Sequence, residues 1–579
     1  MQFLHKYSTG TQASLFLLIC LLAMATGTRS HAQSLDQIGQ GKAVQVNGGV
    51  NTSHVFYQRS DSIARRDPYN YFVAANLNFS LYGWSVPLSF TYSNQQSSFQ
   101  QPFNQYGITP SYKWVTGHAG WSSMSFSPYT LGGHIFLGGG VELNPDSPWQ
   151  FKGMYGRLIK AVPGDTIANV APVYKRMGYG FMGGYHKGND YLDLILFGAG
   201  DELNSVDPGY DTLAETPKEN LVLSLKGGKQ LFGRVVLSAE YAVSALTDDV
   251  REPDTAAVRE NIFSNAGGLF TPKPGSAYYD AFKAGLNYQA DRYTVGLAYE
   301  RIDPGYATLG AYFFNNDLEN ITANLSTSLL GGKLVVGTNV GSQRNNLNDS
   351  ELSSTRRWVG AANLAYAASD KLNTTLSYSN FTTFTNARLP FELINSVTQY
   401  DLLDTLNYRQ ISQNATLGMF YLLGNGEKQK QTLSMNLSAQ NSADEQNGEA
   451  QGTGTTFLNA NASWSLQLVP QQMGFTTAFN ASRSEAAEIE TLTFGPTAAI
   501  NQSFLKKKLK TTLSVSYNQT RSAGEVLNQV LNARINGAYV FKEKHNFNLS
   551  VVFLNRGVSG ANQTPFSEYT TTFSYSYSF

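Results

Sequence analysis

The chain of 579 residues has a single cysteine, Cys20, inside an apolar N-terminal stretch. Without that stretch it can form no disulfide and no thiolate metal site. Charge is scarce: 15% of residues are Asp, Glu, Lys or Arg, and the formal net charge is +0. Nothing in that balance calls for nucleic acid or an acidic partner. Long apolar runs are missing beyond about Leu15 to Ala25, so no spanning helix is expected. No repeat of the ~40–50 residues of a propeller blade is present either. Catalytic signatures are also lacking. His54, His118, His134, His186 and His545 belong to no nucleophile or metal-spacing motif, and Gly138-Gly139-Gly140 precedes no helix. The expectation is a non-enzyme with no cofactor and no metal.

The N-terminus reads as a secretory signal peptide over 1–32. Lys6 supplies the positive end, the apolar run follows, and Ser30-His31-Ala32 offers small residues before Gln33. Cleavage there removes Lys6 and Arg29, leaving 40 basic against 42 acidic residues, a charge of −2. The first strand would begin about ten residues later, which leaves no room for an N-terminal plug domain.

What the sequence has in abundance is alternation. In the last thirteen residues Tyr569, Phe573, Tyr575, Tyr577 and Phe579 share one parity, while Thr570, Thr572, Ser574, Ser576 and Ser578 share the other. Successive strand residues point to opposite faces, so one face is aromatic and the other hydroxylated. The same pattern recurs, with Leu433, Met435 and Leu437 against Ser434, Asn436 and Ser438, and with Leu513 and Val515 against Ser514 and Ser516. A soluble protein would need a second sheet over every apolar face. In lipid, strands must instead close into a barrel to satisfy their backbone groups.

Connections alternate in length. Short ones are read at Gly83-Trp84, Val115-Thr116-Gly117, Asn144-Pro145-Asp146, Gly227-Gly228-Lys229, Gly331-Gly332-Lys333, Ser369-Asp370-Lys371, Lys506-Lys507-Lys508 and Lys542-Glu543-Lys544. Long ones are read near 94–105, 160–173, 201–217, 247–276, 304–317, 385–402, 442–451 and 557–566. This is the pattern of short periplasmic turns and longer outer loops. The fold expected is an all-β, transmembrane antiparallel β-barrel of about 26 strands (24 if the N-terminal part is irregular), one domain over 33–579. Phe573, Tyr575, Tyr577 and Phe579 resemble the terminal signal read by the barrel assembly machinery.

Three stretches, Tyr106–Trp114, Ser127–His134 and Leu309–Asn320, resemble an uncharacterised family of outer-membrane barrels of the Bacteroidota. The resemblance implies the barrel fold and an outer-membrane location in a Gram-negative cell, and carries no activity or site residues.

The face of Asn, Ser, Thr and Gln is expected to line the lumen. Its charges Lys283, Arg292, Glu300, Lys333 and Arg534 read as scattered rather than as a selective ring. Tyr312, Phe313 and Phe314 are candidates for a constriction or ligand contact, or for packing in an aromatic girdle. The 247–276 loop is a candidate cover for the mouth. The functional expectation is a channel or transport barrel for small polar solutes. Its partners would be outer-membrane lipid and the assembly machinery. The alternative is a structural or translocation-complex subunit whose lumen is closed by its own loops, a partner protein or a lipoprotein.

Overall fold

The computed structural model describes residues 44–579 apart from 62–66, 95–103, 165–171, 207–215, 254–262, 264–267, 313, 350–355, 381–382, 387–407, 443–444, 447–448, 451–454, 487–488 and 559–564. The signal peptide expected over 1–32 lies outside the described residues.

Twenty-six strands follow one another. They are β1 (Val44–Arg59), β2 (Tyr69–Leu81), β3 (Trp84–Ser93), β4 (Gln105–Ile108 and Ser111–Tyr112), β5 (Val115–Ser125), β6 (Gly132–Leu143), β7 (Trp149–Ile159), β8 (Lys175–Lys187) and β9 (Asp190–Glu202). Then come β10 (Glu219–Leu231), β11 (Val235–Thr247), β12 (Ser276–Gln289), β13 (Tyr293–Ile302), β14 (Leu318–Leu329), β15 (Leu334–Arg344), β16 (Arg356–Ser369), β17 (Leu372–Ser379 and Thr383–Asn386) and β18 (Tyr408–Asn425). The last are β19 (Gln429–Ser442), β20 (Thr455–Leu468), β21 (Met473–Ala486), β22 (Ile489–Phe504), β23 (Leu509–Ser522), β24 (Glu525–Phe541), β25 (His545–Val558) and β26 (Phe566–Ser578). Each pairs antiparallel with the next, and β26 pairs with β1 to close the sheet. At the seam Phe579 and Gly48 exchange backbone bonds of 3.1 and 3.2 Å.

The alternation sorts the two faces as expected. Leu513 and Val515 are exposed on the outside, while Ser516 is buried on the inside. On the closing strand Tyr569 and Phe573 point out, and Thr570 and Thr572 point in. Exposed Leu194, Leu297, Ile321, Ile535 and Leu549 give the wall an apolar outer band. Water does not tolerate so continuous an apolar surface, and lipid does. Aromatic pairs edge this band at both ends. Trp149–Tyr185 (5.2 Å) and Tyr577–Phe579 (5.5 Å) lie near the short turns, while Phe56–Tyr69 (5.1 Å) and Phe553–Tyr569 (4.9 Å) lie at the opposite rim. These are the two girdles of a membrane barrel.

Four turns differ from the sequence reading, one of them Ser369-Asp370-Lys371, where Ser369 already pairs with Leu372. Val115-Thr116-Gly117 is strand, because Tyr112 pairs with Val115 and the chain reverses at Lys113-Trp114, with Lys113 at φ 50°. Gly83-Trp84 shifts by one residue, since Trp84 already pairs with Leu81. Gly227-Gly228-Lys229 lies within β10; Gly228 makes room for the Tyr191 ring on β9, and the turn falls at Phe232–Arg234. The break in β4 falls at Thr109-Pro110, where proline has no ladder donor.

Candidate functional site: a lumen shared by a plug and a polar wall

From β5 to β14 buried apolar side chains gather on the loop-end part of the inward face. Met124, Phe126, Leu131, Phe136, Met154, Leu158, Met182, Ile195, Phe197 and Ala199 form one buried cluster. A second contains Tyr129, Val222, Ala242, Ala281, Ile302 and Tyr306. Neither is covered by a second sheet. They are covered by two connections folded into the barrel: 126–131, between β5 and β6, and 303–317, between β13 and β14.

The two connections are bonded to each other and to the wall. Tyr306 donates its hydroxyl to the Tyr129 carbonyl (2.8 Å), Thr308 donates to the Thr130 carbonyl (2.5 Å), and Gly132 N–H donates to the Gly310 carbonyl (3.0 Å). On the wall, buried Asn220 accepts from Leu309 N–H (3.1 Å), and Ser244 donates to the Ala307 carbonyl (2.7 Å). The Tyr129 hydroxyl donates to Glu300 at 2.5 Å. Burial pushes the pKa of the Tyr129 and Tyr306 phenols well above the ordinary value, and nearby carboxylates add to the rise. Both therefore remain protonated donors across the physiological range.

Glycine makes the fit possible at two positions. A Cβ on Gly180 of β8 would lie 2.3 Å from the Phe126 ring, and one on Gly310 would lie 2.6 Å from the Thr130 carbonyl oxygen. Both sites need a residue without a side chain.

Of the expected aromatic contacts, Tyr312 stacks on His134 (3.9 Å between centroids, 20°), and its hydroxyl accepts from Ile135 N–H at 3.2 Å. Phe314 packs on Tyr306 (5.1 Å) and Tyr129 (6.3 Å). Phe313 lies outside the described residues. Tyr312 and Phe314 thus belong to the plug; the girdle is made by other residues. In the 247–276 loop, Phe263 and Phe270 pack against Leu221 and Ala245 on the outside of the wall, away from the lumen. The Tyr179 hydroxyl secures that segment by donating to the Leu269 carbonyl (2.9 Å).

The inward charges are less scattered than the sequence suggested. Strand register puts Asp193, Lys226, Glu240, Lys283 and Glu300 in one row across β9 to β13, with signs alternating. Lys283 reaches Glu300 at 3.5 Å, and Ser224 donates to Glu240 at 2.9 Å. Three members of this row were missed because cross-strand register is not visible in one strand's periodicity. Arg292 and Lys333 fall in short turns, and Arg534 sits in β24 opposite Ser514.

The other part of the lumen is polar. A recess of about 550 Å³ is bounded by residues of β17 through β26, among them Thr375, Asn436, Asn459, Asn480, Asn518 and Asn528. Of its lining residues, Asn518 and Val530 are only 3% and 2% exposed. Arg556 and Glu568 stand at its loop end, where Glu568 accepts from the Tyr57 hydroxyl (2.9 Å) and lies 3.6 Å from Arg59. Among the described residues no cluster of His, Cys, Asp or Glu could hold a metal ion.

No protein-family model and no curated protein matches the chain. Solved structures of similar build include the P pilus usher (PapC) translocation pore, with 10% identity, a TM-score of 0.38, and coverage of 92% of this chain and 99% of that one. The FrpB iron transporter of Neisseria meningitidis (F5-1 variant) is 11% identical, with a TM-score of 0.37 over 92% of this chain and 82% of its own. OccK11 (OpdR) of Pseudomonas aeruginosa is 9% identical, with a TM-score of 0.27 over 63% and 91%. All three superpose loosely. The assignment to the closed, antiparallel, 26-stranded transmembrane barrels therefore stands on this chain's own strand pairing and outer face.

Proposed function

We propose that the chain is a transport barrel of the Gram-negative outer membrane, passing small polar, uncharged solutes along its polar wall while the loop plug closes the rest of the lumen. The observation that carries this is the division of the inner face: Asn, Ser and Thr from β17 to β26, and a sealed apolar cluster from β5 to β14. Export by a signal peptide cleaved after Ala32, membership of the Bacteroidota family, and periplasmic short turns belong to the same reading. So does recognition of Phe573, Tyr575, Tyr577 and Phe579 by the assembly machinery. The plug unites two of the three stretches that carry the family resemblance, Ser127–His134 and Leu309–Asn320.

The test is conductance of the purified full chain in planar bilayers. A small, steady conductance with little preference between cations and anions is expected. A silent barrel that leaves native membranes with a stoichiometric protein or lipoprotein would favour the second reading, a translocation-complex subunit. The plug motivates that reading, because a lumen held shut by this many bonds suits a barrel that a partner must open. For the terminal signal, Phe579→Asp should leave unfolded chain in the periplasm; wild-type amounts of heat-modifiable barrel would refute it.

A further inference from the structure

We infer that the recess of the polar wall is a binding site for a neutral saccharide, which it holds at the loop end of the transport path. This rests on the transport reading above and names its substrate class. Along most of its length the recess is lined by carboxamides and hydroxyls, among them Asn459, Asn461, Asn480, Asn518 and Asn528. A carboxamide offers an acceptor and two donors, the complement of a sugar hydroxyl that gives one proton and accepts others. An ion would find no net counter-charge, because the two charged residues of the lining, Arg556 and Glu568, are of opposite sign.

Two of these groups are left open. Nδ2 of Asn518, in a side chain 3% exposed, has no hydrogen-bond partner, and neither has Oδ1 of Asn459. Buried polar atoms are nearly always paired, so an unpaired one calls for a reason. Here one donor on β23 and one acceptor on β20 bound the same cavity, and a hydroxylated ligand satisfies both. Phe457 and Val530 add the apolar surface that the C–H faces of a sugar ring bury. The cavity of about 550 Å³ falls within the range of small-molecule sites.

The experiment uses the full chain, titrated in detergent with maltotriose and, separately, with triglycine as a neutral peptide. Liposome swelling in urea is measured in parallel. Maltotriose should bind saturably. Asn518→Leu and Asn459→Leu should each weaken it about tenfold, the loss of one hydrogen bond. Asn518→Leu should leave the unfolding midpoint of the empty barrel unchanged, since its Nδ2 has no partner within the protein, whereas Asn459→Leu also removes the bond its Nδ2 donates to Ser438 (3.2 Å) and lowers the midpoint slightly. Absence of maltotriose binding, preference for triglycine, or a lowered midpoint in Asn518→Leu overturns the saccharide site. Urea entry without maltotriose binding removes the site and leaves the transport reading standing. Asparagine-dependent binding without urea entry does the reverse.

Discussion

The wall from β5 to β14 and the wall from β17 to β26 share one backbone plan and one outer surface, yet their inner faces obey opposite rules. In the first, Ile195 and Phe197 are fully buried among other apolar groups, as in the core of a soluble domain. In the second, Ser514 and Ser516 hold the equivalent parity on β23. The tops differ as well. Each outer connection of the first arc has at least six residues, whereas in the second β21–β22 and β23–β24 are joined by two residues each. A barrel strand thus commits only its outward residues to lipid. Its inward residues follow whatever its own loops place against them.

Paired arginine substitutions give the sharpest test of this contrast. On the polar arc, Leu513→Arg should cost about 2–4 kcal/mol and Ser514→Arg clearly less, because a wet lumen still solvates the charge. On the plugged arc the order should invert. Leu194→Arg, on the lipid face, should again cost about 2–4 kcal/mol, while Ile195→Arg places an unpaired charge in a sealed apolar cluster and should cost more. Denaturant titration from bilayers measures all four. If Ile195→Arg proved as mild as Ser514→Arg, the plugged arc would have to be wet.

Removing a wedge should come next in effect. Phe126→Ala should cost about 3–5 kcal/mol, the usual range for a buried phenylalanine, and should raise single-channel conductance. An unchanged conductance would mean that the plug does not narrow the path. Tyr129→Phe is gentler, at about 1.5–3 kcal/mol for a hydrogen bond to a carboxylate, with a smaller rise in conductance.

Alkali should produce the least abrupt change. The folded protein holds the Tyr129 and Tyr306 phenols neutral well above their ordinary range. A phenol whose pKa rises on folding contributes fully below the unfolded value of about 10 and loses that contribution as pH rises through the folded one. Conductance recorded from pH 7 to 11 should stay flat until about pH 10 and then climb. Removing both phenols, as in Tyr129→Phe with Tyr306→Phe, should abolish the climb, and its persistence would refute the assignment.

The strand pattern, the facing of Leu513 against Ser514 and the aromatic parity of the closing strand were legible because period-two alternation is a local signal. So was the count of 26, despite misplaced turns at Val115–Gly117 and Gly227–Lys229. There glycine signalled a close approach within a strand, which sequence alone does not separate from a turn. The plug was legible only in part. Tyr312 and Phe314 stood out as aromatics in a loop, but 126–131 is too short to be noticed as one, and its partners lie 177 positions away. The asparagine recess stayed hidden for the same reason: its lining is gathered from ten strands spread over 375–568.

The distance between the plug's two halves also bears on how the barrel closes. Adjacent strands pair through local hairpins, so a growing sheet can zip together in order. The seam is different, because Ser53 and Ser574 meet across 521 positions. Tyr129 and Tyr306 meet across only 177, and closing that shorter span costs about 1 kcal/mol less entropy. Their contact brings the end of β5 to the end of β13 and bends that stretch of sheet towards its lumen. The plug is in this sense an inner clasp that curls a partial sheet before its last strand exists, leaving β26 a nearly closed edge to find.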